Sequence, residues 1–344
     1  MELFVLISLL AAAFYVGWNI GANDAANCIG TTVGAAVLPF RSAAIIMAIF
    51  VVLGGALQGQ GVMQTVGTEI VITDRAAYAS VHGEPPPAVI EQYFPDGRLP
   101  DWAILIALVS AGLFVTVATF TRFPVSTSQA IVGGVAGIGL GASGFDASFV
   151  DTAVLLRIAG SWIISPVLAM LLAFSLYWLL SILLRKARAV IWSSLLRLGV
   201  IVSAMYVSYS LGANDVGNAI GPLLNKFPGR TTELSMLGGV AIATGALTFG
   251  RRVTHTVGRA ITPLDYSAAL AAQVSAAFGV HVFSLLAIPV STSQAVVGAV
   301  VGVGLTKGVR AVSGRKVISI AAGWVITPLC AAAFAGGVYR LVAG

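Results

Sequence analysis

From Leu3 to Ile20 the chain carries no charged side chain, and comparable apolar runs recur at roughly 42–57, 102–121, 152–184, 198–211, 232–249, 268–288 and 317–342. In lipid no water is present to bond the backbone, so runs of about 17–25 apolar residues satisfy their own N–H and C=O groups as helices. Composition agrees: 58% of the 344 residues are hydrophobic and 9% charged, against roughly a quarter charged in a soluble domain. The sequence predicts an all-α polytopic membrane protein. The first run has no basic residue ahead of it and no small-residue cleavage site, so it is read as a retained segment rather than a signal peptide.

Polar residues interrupt this apolar sequence in a pattern that occurs twice. Gly21-Ala22-Asn23-Asp24-Ala25-Ala26-Asn27 returns 191 positions later as Gly212-Ala213-Asn214-Asp215-Val216-Gly217-Asn218, and the same offset relates Gly54 to Gly245 and Thr65-Val66-Gly67 to Thr256-Val257-Gly258. Pro124-Val125-Ser126-Thr127-Ser128-Gln129 returns 165 positions later as Pro289-Val290-Ser291-Thr292-Ser293-Gln294, and Trp162–Pro166 answers to Trp324–Pro328. The chain is one duplicated unit, 1–190 and 191–344. The first copy holds 26 extra residues, placed in the polar, proline-rich loop 74–101.

An unpaired Asp or Asn at bilayer depth costs a few kcal/mol, so such residues are normally functional or tightly partnered. Asn23, Asp24, Asn27, Asn214, Asp215 and Asn218 supply carboxylate and amide oxygens that suit a hard monovalent cation. The alternative is that each Asn-Asp pair caps a helix restarting within the membrane. In the second motif a proline opens a helical turn and is followed by hydroxyls and an amide, which is the composition of a half-helix N-terminus able to receive an oxyanion. Ser126, Thr127, Ser128, Gln129, Ser291, Thr292, Ser293 and Gln294 are the candidates; their bland reading is ordinary hydrogen bonding between membrane helices. Neither motif contains Lys or Arg, so an anion held there needs a co-bound cation.

Charge between the runs orients the chain. Loop 141–151 has no Lys or Arg, whereas its partner 306–316 has Lys307, Arg310, Arg315 and Lys316. Basic loops stay cytoplasmic, so the two repeats are expected to be inverted, with 185–197 inside and 74–101 and both termini outside. Lys226 and Arg230 are the exception, since this path leaves them external. The net charge of +6 reports topology rather than a nucleic-acid partner. Cys28 and Cys330 suggest neither a disulfide nor a zinc site, and His82, His255 and His281 make no metal pair. No His-Glu-x-x-His motif or serine with a neighbouring base appears, which argues against an enzyme. Glu69 faces Ala260 across the repeat and receives no role.

With these motifs in view, the chain resembles the inorganic phosphate transporter (PiT) family, whose signature G-A-N-D-V-A-N-A occurs once per half. The resemblance spans essentially the whole chain and is that of a minimal prokaryotic-type member. It implies broken helices and re-entrant hairpins, about twelve membrane segments, and a multi-pass cell-membrane protein working as a homodimer without a prosthetic cofactor. It further implies symport of inorganic phosphate with a monovalent cation by alternating access. The cation would bind at Asn23, Asp24, Asn27, Asn214, Asp215 and Asn218, and phosphate at the two Ser-Thr-Ser-Gln sets. The neutral-oxygen site favours Na+ over H+. Sulfate or metal-phosphate/proton symport, and an anion channel, are the alternatives. Animal members carry a membrane glutamate after each signature, at positions aligned to Val51 and Gln273.

Overall fold

The structure, a computed structural model, describes residues 2–83, 90–121, 125–184, 189–251, 265–308 and 314–343, with the side chains of 189–191 and 316 left aside. Pro124, His255, the repeat segment 256–261, and Arg185, Lys186, Arg188 and Arg310 of the charge argument lie outside these residues. The described elements are helical, apart from one antiparallel bridge between Val71 and Val150. In order they are α1 (Glu2–Gly34), α2 (Phe40–Gln58), α3 (Gln60–Gln64) running into a π-helical turn (Thr65–Glu69), α4 (Arg75–His82), α5 (Ile90–Tyr93), α6 (Asp101–Thr121), α7 (Thr127–Ala142) and α8 (Thr152–Leu184). The second half has α9 (Ala189–Ile220), a 3-10 turn (Gly221–Lys226), α10 (Thr231–Thr248), α11 (Tyr266–Leu285), α12 (Thr292–Thr306) and α13 (Gly314–Ala343).

Seven described helices are long and apolar enough to cross a membrane, in α1, α2, α6, α8, α9, α11 and α13, which makes this an integral membrane protein. The remaining apolar sequence lies in α10 and in shorter pieces, with 16 residues in α7 and 15 in α12. Helix breaks fall at Gly59, between α2 and α3, and ahead of α7 and α12. They do not fall at the Gly-Ala-Asn-Asp motifs, which α1 and α9 cross unbroken. The capping alternative is therefore corrected: no helix begins there, and the polar side chains turn sideways to neighbouring helices.

Each repeat packs chiefly against the other. Helix α1 lies on α10 and α2 on α9, while α7 lies on α13 and α8 on α12. Glycines permit this closeness. A Cβ at Gly21 would run into the carbonyl oxygen of Ile242 and one at Gly212 into that of Val51; Gly54 meets Tyr209 and Gly245 meets Trp18 in the same way. Gly133 and Gly298 meet the carbonyls of Pro328 and Pro166. These contacts pair Val51 with Ile242 across the repeat. Gln273 is buried in a separate cluster, accepting from Ser203 Oγ at 2.7 Å and donating to Cys28 O at 3.1 Å and Thr32 Oγ1 at 2.9 Å.

Helices α6 and α7 form a hairpin whose outer ends meet α13: Trp102 stacks on Tyr339 at 4.7 Å, and Arg340 Nη1 donates to Gly141 O at 3.4 Å. The same end gathers loop 70–101, loop 143–151 and the 3-10 turn, through Ile72 N donating to Phe149 O (3.0 Å) and Lys226 Nζ bonding Asp101 Oδ2 (2.6 Å). Lys226, one of the two exceptions in the charge pattern, thus pairs with an aspartate of its own end. The described residues of this loop are folded: Asp74 caps α4 by accepting from Ala77 N at 2.7 Å, Gly83 closes it in the left-handed region at φ 70°, and Ile90 and Phe94 are buried. Helices α11 and α12 form the matching hairpin, closed by Lys307 Nζ lying 3.7 Å from Asp265 Oδ2. Tyr177 donates to Asp265 at 3.3 Å. Since α8 starts beside Asp151, Tyr177 lies about 38 Å along it at 1.5 Å per residue, so this second hairpin opens at the opposite end. Arg197, donating to Val37 O at 3.1 Å, belongs to the α1–α2 connection.

Candidate ion and anion site

The tips of the two hairpins meet α1 and α9 in the interior. Ser126 and Ser291 have extended backbone and accept from Gln129 N and Gln294 N, each at 3.3 Å, so each serine caps the half-helix it precedes. The first-turn hydroxyls of α7 and α12 are thereby aimed at the signature helices.

Thr127 Oγ1 donates to Asp24 Oδ2 at 3.0 Å and Thr292 Oγ1 to Asp215 Oδ2 at 2.8 Å. The serines cross over: Ser128 Oγ donates to Asp215 Oδ1 at 2.8 Å and Ser293 Oγ to Asp24 Oδ1 at 2.9 Å. Asn27 and Asn218 complete the pattern by donating to Asp24 Oδ1 (2.6 Å) and Asp215 Oδ1 (2.9 Å), and also to Ser293 Oγ (2.9 Å) and Ser128 Oγ (3.0 Å). Each carboxylate is thus held by one hydroxyl from its own repeat and one from the other. Thirteen of the fourteen residues singled out in the sequence belong to this network or cap it. The outlier is Asn214.

Asn214 donates to Ser284 Oγ at 3.1 Å and accepts from Val290 N at 3.2 Å, so its amide holds the loop that enters α12. Asn23 is half-buried and only 3.4 Å from Asp24 Oδ1. Ser284 was not among the sequence candidates; a lone serine in an apolar helix gives no signal until its partner is known.

The network is short of positive charge. Asp24 and Asp215 are buried at 1% and 0% exposure, and none of the ion pairs among the described residues includes either one. Gln129 Oε1, Gln294 Oε1 and Asn218 Oδ1 are buried acceptors with no donor. An unbonded buried oxygen is costly, and carboxylate, amide and hydroxyl oxygens together form a hard, oxygen-only set for an alkali or alkaline-earth cation. Among the described residues no three His, Cys, Asp or Glu side chains converge as for a transition metal. Exposure differs between the halves: Asn23, Asn27 and Ser293 are half-buried, whereas Asn214, Asp215, Asn218 and Ser128 are fully buried.

A solved structure described as the sodium-dependent phosphate transporter superposes with a TM-score of 0.83 at 28% identity, covering 98% of this chain and 99% of that one. A relative in Thermococcus kodakarensis, named "Putative phosphate permease", is 28% identical over 99% of this chain and 98% of its own length. A relative of the same description in Methanocaldococcus jannaschii is 28% identical over 94% and 93%. The model of the phosphate transporter family, a family of transporters and not of enzymes, matches residues 20–196 and 189–335. With nearly all of its length matched, the chain belongs to the phosphate transporter family.

Proposed function

We propose that the chain is a Na+-coupled symporter of inorganic phosphate that works by alternating access. One observation carries this reading: the first-turn hydroxyls of both half-helices converge on the two cation-deficient carboxylates. Each carboxylate takes the donors an oxyanion would take at a helix N-terminus. A cation at Asp24 with Asn23 and Asn27, and another at Asp215 with Asn214 and Asn218, would draw the carboxylate oxygens to itself. The hydroxyls of Thr127, Ser128, Thr292 and Ser293, with Gln129 and Gln294, would then be free for phosphate, whose charge the cations offset. Neither ion is stable there alone, which is the coupling a symporter needs.

Repeats 1–190 and 191–344 are read as inverted, because their hairpins open at opposite ends of the molecule, and the half-length α7 and α12 serve as re-entrant legs. Half-burial near Asp24 against full burial near Asp215 fits a site that exposes one half at a time. Sharing of one end by 74–101, 143–151 and 221–230 supports the orientation with that end and both termini outside. A homodimer in the cell membrane is kept as part of this reading.

Purified protein in proteoliposomes tests it. An inward Na+ gradient is expected to drive phosphate accumulation that excess sulfate does not compete, with no accumulation from a proton gradient in Na+-free buffer. Equal uptake on the proton gradient overturns Na+ coupling, and competition by sulfate overturns the choice of anion.

A further inference from the structure

Glu69 has no counterpart charge in the second repeat, where Ala260 stands, and its partner is equally unmatched: Arg157 corresponds to Ser319 at the offset that relates Trp162 to Trp324. Arg157 is the one charged residue of α8, just inside its start, where an unpaired guanidinium is expensive. Its Nη2 lies 2.9 Å from Glu69 Oε2. Glu69 ends the π-helical turn, and the Thr65 hydroxyl at the start of that turn lies 3.2 Å from the same Glu69 oxygen and 2.8 Å from the carbonyl of Ala287. Ala287 adopts φ 58°, the left-handed region that a residue with a Cβ adopts only when its surroundings impose it. Two residues on is Pro289, whose carbonyl receives Ser161 Oγ of α8 at 3.5 Å, and after Val290 comes the cap Ser291. A Cβ at Gly61 of α3 would come 3.1 Å from that of Ala287, so α3 seats directly on this loop. The loop is also the one Asn214 holds from the site side.

We propose that Glu69 and Arg157 are positioning residues that fasten α3 and its π-helical turn over the loop entering the second half-helix, and so keep the Ser291–Gln294 tip closed toward the end that carries loop 74–101. This rests on the transport reading above, and it makes closure at that end the task of an ion pair the other repeat lacks. The pair touches neither ion; it acts through Thr65 and Ala287.

The test reads accessibility, not transport, so its failure is separate from failure of the symport reading. In a background with Cys28→Ala and Cys330→Ala, Val290→Cys, fully buried in this structure, reports the tip, and Val125→Cys reports its repeat counterpart. Glu69→Gln is expected to speed labelling of the Val290 reporter by an impermeant thiol reagent about fivefold, the population shift that loss of a partly exposed ion pair allows. The Val125 reporter is expected to be unchanged. Arg157→Lys keeps the charge and is expected to label within about twofold of the parent, and the swap of Glu69→Arg with Arg157→Glu to restore slow labelling. An unchanged rate in Glu69→Gln overturns the proposal, as does equal acceleration at both reporters, which would mean general loosening.

Discussion

Asp24 and Asp215 differ from most buried carboxylates in that, among the described residues, no lysine or arginine pairs with them; their partners are hydroxyls and amides. Charge at these two positions is therefore the quantity to alter. Asp24→Asn and Asp215→Asn keep the side-chain shape and an acceptor oxygen, so insertion and folding are expected to survive. Each is expected to lower Na+-driven uptake at least about 100-fold, since an amide cannot replace a carboxylate as the charged ligand of a cation. The stabilisation by Na+ seen in a thermal melt is expected to disappear with it. Retention of both responses in both variants would remove the cation assignment. The sequence named these residues because polar side chains at bilayer depth are rare. It did not name Thr65, Arg157 or Ser284, whose significance lies wholly in which loop they touch.

At the scale of the helix, small residues set how near the two repeats approach. Gly54 of α2 faces the carbonyl of Tyr209 with no room for a Cβ, whereas nothing lies within 4 Å of a Cβ at Gly30 of α1. Gly54→Ala is expected to cost about 1–3 kcal/mol by overpacking, lowering the melting temperature of the detergent-solubilised protein by several degrees. Gly30→Ala, also in a helix, is expected to be neutral or slightly stabilising through propensity. Equal melting of the two variants would show that the close approach is not what holds α2 against α9. The motif composition places a half-helix start at each Pro-Val-Ser-Thr-Ser-Gln stretch but opens it at the proline, whereas α7 and α12 begin at Thr127 and Thr292 behind serine caps. It has no means of finding the π-helical turn at Thr65–Glu69, whose extra residue is accommodated by contacts to α12's loop and the 3-10 turn, with Gly67 pressed on Gly221.

For the whole molecule, contacts divide the loops between two ends, and the basic loop 306–316 assigns the sides. Single cysteines at Ser143 and Ser313, the latter outside the described residues, are expected to label from opposite sides of the membrane with an impermeant reagent, Ser143 from outside intact cells. Labelling of both from one side would make the repeats parallel, and the argument that two half-helices converge from opposite ends would fall with it. Lys226, which is ion-paired to Asp101, and Arg230 are the positive charges that this path leaves external.

By itself the sequence determined that the chain is helical and membrane-embedded, that it is duplicated, and which polar residues stand out from its apolar runs, because lipid penalises unbonded backbone and stray polar groups strongly. Only the tertiary structure decided that the repeats interleave and that each half-helix serves both carboxylates. It also decided that Asn214 spends its amide on a loop and that Glu69 has a partner in α8. Those outcomes depend on which helices lie side by side. Glycine contacts and hydrogen bonds between residues 87 to 269 positions apart set that choice, and no local pattern encodes it.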